Sequence, residues 1–292
     1  MTDNMFEALL IAQEGANTKT APSGIPLVTW YNAQKNMGRV YPDDIRGRGG
    51  WGIKYVIAPD FPIGDVIEME FNNGDVEKMI SLPKETDVIL LADRLDWYTG
   101  DRSNPVFHPR YVRGKGMQGR NRFLLLFADA IEWHFEHDTY FMYSSWGKTN
   151  GVQFSRNVIG AFFAKYHKKV EEQLGASLDN WTFKIPVTVG EPYQPNPNYP
   201  TKTTPPVLNM PGTFDEENPA RYMLENGLMV PPEIRRRIAE QFWPRVAEWL
   251  AAPADPRDTY ESEFGGYAGG VGGVEDEKLP EDVGAGADAF VD

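Results

Sequence analysis

Arg122-Phe123-Leu124-Leu125-Leu126-Phe127-Ala128-Asp129-Ala130-Ile131-Glu132-Trp133-His134-Phe135-Glu136 is the run on which the fold turns. Phe123, Leu125, Phe127, Ile131, Trp133 and Phe135 share one parity, and Arg122, Glu132, His134 and Glu136 share the other. Alternation of period two is the pattern of a strand with one buried face. Leu124 and Leu126 interrupt it, which predicts that the first half of the strand is buried on both faces. His137-Asp138 then turns the chain into a second aromatic strand over 139–145.

Upstream, residues 25–31, 51–58 and 66–71 read as strands separated by Gly, Pro and Asp, and 87–93 holds a buried apolar strand over 88–92. Asn72-Asn73-Gly74-Asp75 has the residue types of a hairpin turn. Downstream the period changes. Phe154, Val158, Phe162, Tyr166 and Val170 recur every four residues, which predicts a helix over 150–174 stopped by Gly175. Residues 181–189 read as a last strand, and Pro186 makes it an edge. Seven prolines between 191 and 211 predict an extended connector with no regular structure. Two short helices follow, over 215–226 and 231–250, with Pro231 and Pro232 where the first N–H groups are not needed. From Pro253 onward Gly, Ala, Asp and Glu dominate, too polar to fold.

This order of elements predicts a mainly β, α+β fold: an OB-like barrel or curved antiparallel sheet with C-terminal helices and a disordered tail. The expected divisions are a flexible lead over 1–24, a β-rich body over 25–190, a Pro-rich connector over 191–213, a helical segment over 214–252 and the tail over 253–292. Cysteine is absent, which excludes disulfides and thiolate metal sites and suits a reducing, cytoplasmic setting. Residues 1–13 carry Asp3 and Glu7 and no basic leader, so no signal peptide is expected, and no apolar run is long enough to span a membrane.

The formal net charge of −13 conceals an uneven distribution. Residues 102–170 hold eleven Lys or Arg against four Asp or Glu, net +7, whereas 253–292 hold two against eleven, net −9. Within 102–128 there is no acid at all, but Arg102, Arg110, Arg113, Lys115, Arg120 and Arg122 are interleaved with Tyr111, Gly114, Gly116 and Gly119. Glycine lets a main chain approach a phosphate backbone closely, and Arg and Lys displace its counterions. A second acid-free stretch, 139–170, contains Trp146, Lys148 and Arg156. Arg46, Arg48 and Trp51 form a compact Arg/Gly/Trp cluster, and Trp97 lies next to Tyr98 and Gly100. Flat rings interleaved with cations suit base stacking beside phosphate contacts, so Trp51, Trp97, Tyr111 and Trp146 are expected at the surface.

Signals for catalysis are sparse. No phosphate-binding loop, dinucleotide fingerprint, zinc-protease or serine-hydrolase motif occurs, so no catalytic residue, metal or cofactor is expected. On the strand reading, His134, Glu136 and Asp138 share one face and make the one candidate metal trio, the seed of an alternative reading as a metal-dependent nuclease. A structural or accessory phage virion protein is the other alternative.

The tail carries Glu275-Asp276-Glu277 and Glu281-Asp282 and finishes in Asp288-Ala289-Phe290-Val291-Asp292. A β-rich, aromatic, basic body, a Pro-rich connector and an acidic tail with phenylalanine near its end together resemble the single-stranded DNA-binding proteins of bacteria and their phages. The resemblance implies an OB-type body that holds single strands in replication and recombination. It also implies a tail in which Asp288, Phe290 and Asp292 contact replication or repair proteins, in a bacterial cell or phage-infected host. Here Val291-Asp292 follow Phe290, where those families finish in Phe or Pro-Phe. Single-stranded DNA and these tail-bound proteins are the expected partners; no membrane is expected, and assembly into oligomers is left open.

Overall fold

Double-sided burial of the Leu-rich run sets the architecture. A computed structural model describes residues 25–31, 49–70, 76–100, 105–145, 150–194 and 203–254. Its strands are β1 (Leu27–Tyr31), β2 (Gly50–Lys54), β3 (Asp65–Glu70), β4 (Val76–Ser81), β5 (Glu85–Thr99), β6 (Val106–His108), β7 (Gln118–Phe127), β8 (Phe141–Ser145), β9 (Ile185–Val189) and β10 (Pro206–Leu208). They form one curled sheet in the order β10-β9-β5-β7-β8-β1-β2-β4-β3, with β6 added to the far end of β5. All neighbours are antiparallel except β1 and β8. The sheet is an open half-barrel whose edges are β10 and β3. The helices are α1 (Ile131–Glu136), α2 (150–174), α3 (Pro219–Glu225), α4 (Pro232–Gln241) and α5 (Trp243–Ala251).

Every side chain of β7 from Arg122 to Phe127 is buried. Phe123, Leu125 and Phe127 face one way and join Val88, Leu90, Phe141, Tyr143 and the α2 residues Phe154, Val158, Phe162 and Val170. Leu124 and Leu126 face the other way and join Ile89, Met142 and the α4–α5 residues Ile238, Phe242, Val246 and Trp249. The central strands are therefore the middle layer between helices, as an all-apolar strand requires. Each such side chain contributes about 1.5–3 kcal/mol by leaving water.

The four-residue stripe of α2 also has a geometric cause. It starts as an α-helix at Asn150–Gln153, opens into π turns at Phe154–Gly160 and Phe163–His167, and closes as an α-helix at Lys168–Leu174. A repeat of four drifts around a helix of 3.6 residues per turn. The wider π turns reverse that drift and keep the stripe on the sheet.

Three sequence expectations are corrected. The alternation over 128–136 is not a strand: the chain leaves the sheet at Ala128, makes a 3-10 turn and enters α1. Trp133, His134 and Phe135 are consecutive and all buried, because α1 lies where the two cores meet: Trp133 joins one and Phe135 the other. Second, β9 is not an edge, since β10 pairs with it over Val187–Val189. Pro186 lies just past the last of these pairs, and its carbonyl accepts from Asn209 N–H at 2.9 Å. Third, β10 itself is regular structure within the proline-rich 191–211, with Pro206 as its first residue, a position proline tolerates. The expected helix over 231–250 divides at Phe242 because Pro244, the second residue of α5, has no N–H to continue α4. Both helices lie against the sheet. Among the described residues, no helix is long and apolar enough to cross a membrane.

Candidate nucleic-acid interface

The far end of the β5–β7 ribbon extends beyond the double-sided core. There β6 pairs with β5, placing Trp97 opposite both His108 and Gly119. Residues 109–117 join β6 to β7. Gly114 (φ 81°) and Gly116 (φ 60°) take left-handed conformations, and a Cβ on either would meet nothing within 4 Å. These glycines serve backbone curvature and not close packing. Lys115 N–H reaches Val112 O at 3.4 Å across the turn, and Val112 N–H donates to Met117 Sδ at 3.1 Å.

Arg110, Arg113 and Lys115 are exposed on this connection. Tyr111 is 48% exposed and its ring lies 4.7 Å from that of Trp97, tilted by 52°. Trp97 is half-buried. Leu95, Val106 and Val112 are exposed beside them, an apolar margin that the charge pattern did not signal. The structure thus brings together Trp97, Arg110, Tyr111, Arg113 and Lys115 from the expected set. Arg156 is exposed on α2, with Asn157 next to it. Arg46, Arg48, Arg102, Trp146, Lys148, Asp288, Phe290 and Asp292 lie outside the described residues.

Arg120 and Arg122 are a correction: both are fully buried. Their parity on β7 is that of Leu124 and Leu126, so they point toward α5. There they meet Asp96 of β5: Arg122 Nε lies 2.7 Å and Arg120 Nη2 3.1 Å from Oδ2, while Arg94 Nε lies 2.7 Å from Oδ1. The guanidinium of Arg120 sits 4.4 Å from the Phe107 ring centroid, and that of Arg122 4.9 Å from the Trp249 ring. Arg94 Nη1 also donates to Trp249 O at 3.0 Å and Ala252 O at 2.6 Å, at the negative end of α5. These charges hold the molecule together and do not face a ligand.

Trp51 is the second correction. It is 1% exposed, with Trp30 and Tyr143 edge-on at 5.0 Å and Phe154 at 5.3 Å. Its β2 strand is internal, paired with β1 and β4. Gly52 is there for space, since a Cβ would lie 3.2 Å from the Tyr31 ring. Glycine beside an aromatic here marks close packing, where the sequence suggested exposure.

The His134, Glu136, Asp138 trio does not form. His134 is buried and Glu136 exposed on α1, and Asp138 lies in the following turn, bound by Gln241 Nε2 at 2.9 Å and Arg245 Nη2 at 2.7 Å. Among the described residues, no group of three His, Asp or Glu could hold a metal ion. One feature absent from the sequence reading is a groove of about 700 Å³ lined by Pro26, Val56, Ile57, Pro59, Asp60, Trp133, His137 and Thr139. Its polar groups are engaged with each other. Asp60 takes Trp133 Nε1–H at 3.2 Å and His137 Nε2 at 2.9 Å, and the indole bond first, then His137, holds its carboxyl below the usual carboxylate range.

Comparison with known protein families, curated proteins and solved structures finds no match to this chain.

Proposed function

We propose that this protein binds single-stranded DNA without sequence preference, through the arm formed by the ends of β5, β6 and β7. The observation that supports the reading best is the half-exposed Tyr111 packed on Trp97 within a run of three exposed cations and no acidic residue from 102 to 128. Rings offer stacking that any base satisfies, and Arg110, Arg113 and Lys115 offer phosphate contacts that any sequence satisfies. The role in replication or recombination, and the recruitment of other proteins by Phe290 and its flanking acids, belong to the same proposal and rest on the charge pattern of the chain.

The test is a fluorescence titration of the full chain with single- and double-stranded oligonucleotides at two salt concentrations. Single strands bind more tightly, and affinity falls with salt. Reversing Arg110, Arg113 and Lys115 to Glu weakens binding at every sequence and lowers the salt slope by about 2, from three phosphate contacts at about 0.7 each. Binding that is indifferent to these three reversals would remove the arm from the interface.

A further inference from the structure

The geometry of the Trp97–Tyr111 pair points to unequal roles. We infer that one unpaired base stacks on the outward face of Tyr111 alone, with Trp97 as its fixed backing and Gly119 as the seat of Trp97. The inference rests on the arm being a nucleic-acid interface.

A base between two rings needs their planes about 7 Å apart, twice the stacking rise of about 3.4 Å. The Trp97 and Tyr111 centroids are 4.7 Å apart and the planes converge at 52°. This wedge is closed and admits no base. The free surface differs between the partners: Tyr111 stands on the glycine-bearing connection with nearly half its area in solvent, whereas Trp97 is fixed in the ladder of β5 between His108 and Gly119.

Gly119 explains how Trp97 is seated. A Cβ at Gly119 would lie 3.6 Å from Trp97 Cζ3 and 2.9 Å from Leu95 Cδ1. A large ring opposite a strand glycine covers the backbone that glycine leaves bare. A methyl would displace only the mobile end of Leu95. A β-branched side chain would reach into the ring of Trp97 and push it, with Tyr111, off the sheet. Gly119 is therefore a positioning residue, and Arg110, Arg113 and Lys115 lie close along the chain to hold the phosphates flanking the stacked base.

The experiment uses the full chain and an oligodeoxythymidine of about 15 nucleotides, within the usual site range, substituted with 5-iododeoxyuridine. Irradiation and peptide mapping locate the adduct, and titration of the same oligonucleotide gives affinities. The adduct is expected on Tyr111. Tyr111→Phe and Gly119→Ala bind as the parent does. Tyr111→Ala and Gly119→Val bind about 5- to 150-fold more weakly, the range for one stacked base, with unchanged far-ultraviolet circular dichroism. An adduct on Trp97, or Tyr111→Ala binding at parental strength, overturns the assignment. So does binding that yields no adduct on Tyr111. These failures differ from failure of the interface itself, in which reversing Arg110, Arg113 and Lys115 also leaves binding unchanged.

Discussion

His134 shows how much one buried side chain depends on both neighbours. Its Nε2 accepts from Phe127 N–H at 2.9 Å, and its Nδ1 lies 2.7 Å from Thr139 O, which assigns the proton to Nδ1. The ring thus ties the end of β7 to the start of β8 as a neutral group. Burial, more than any other influence, pushes its pKa down from 6.5 to about 4. The unfolded chain therefore binds a proton between pH 6.5 and 4 that the folded chain does not. The resulting stability is complete above pH 6.5 and is lost as pH falls toward 4. At pH 4.5 the loss is about 2–3 kcal/mol, at about 1.4 kcal/mol per pH unit. Urea unfolding at pH 7.5 and 4.5 measures it. His134→Leu should be less stable at pH 7.5, by about 1–3 kcal/mol, because Phe127 N–H loses its acceptor. Its drop between the two pH values should be smaller than the parent's by about 2–3 kcal/mol. An equal drop in both proteins would show that His134 does not carry the effect. The sequence presented His134 as a polar residue on an outer face, because its parity matched Glu132 and Glu136. Parity is informative only where the chain remains extended, and here α1 has replaced the strand. Trp51 misled for a related reason: the Arg/Gly run before it suggested exposure, but β2 is internal and Gly52 admits the Tyr31 ring.

At the scale of elements, the legible ones were those whose burial is dictated within the segment. The Leu-rich run of β7 and the four-residue stripe of α2 each announce a buried face without reference to partners. What stayed hidden depends on elements far away in sequence. Arg120 and Arg122 share an acid-free run with the exposed Arg110 and Arg113, and their burial comes from Asp96 and the rings of Phe107 and Trp249. Asp96 thereby fixes the ribbon that carries Trp97: Asp96 and Arg120 lie directly opposite on one face, and Trp97 and Gly119, the next pair, on the other. Removing one member of a buried ion cluster is strongly destabilising, since the remaining charges keep their desolvation cost. Asp96→Ala should therefore lower stability by about 3–5 kcal/mol, read by denaturant unfolding. A loss below about 1 kcal/mol, the level of a surface pair, would show that the cluster is not a buried linchpin. Arg94→Ala should cost less, because Arg94 is partly exposed, but it releases the C-terminal end of α5 from β5.

For the whole molecule, the distribution of charge was legible and the layering was not. Net +7 over 102–170 and −9 over 253–292 follow from counting; that β7 would lie between two helical layers needed α4 and α5 to return from far along the chain. The two kinds of information meet at the end of α5. Ala252 O is held by Arg94 at 2.6 Å, and Arg94 is three residues from Trp97 on β5, about 10 Å along a strand. The chain leaves the described body at a point near the arm, and attachment there raises the effective concentration of the acidic segment's carboxylates at the arm. Because exposed charges are screened within about 8–10 Å at physiological ionic strength, the attraction between segment and arm should be weak and dependent on salt. DNA, a denser polyanion, should displace it. Deleting residues 275–292 removes Glu275, Asp276, Glu277, Glu281, Asp282, Asp288 and Asp292 along with one cation, Lys278, and leaves every described residue in place. The truncated chain should keep the parental unfolding midpoint and bind a single-stranded oligonucleotide more tightly at low salt, with the difference vanishing at high salt. It should also lose any replication partner that the tail recruits. Equal affinity of the two chains at low salt would mean that the segment does not compete for the arm. A lowered unfolding midpoint would mean instead that these residues contribute to the folded body, and that the boundary at 253 is misplaced.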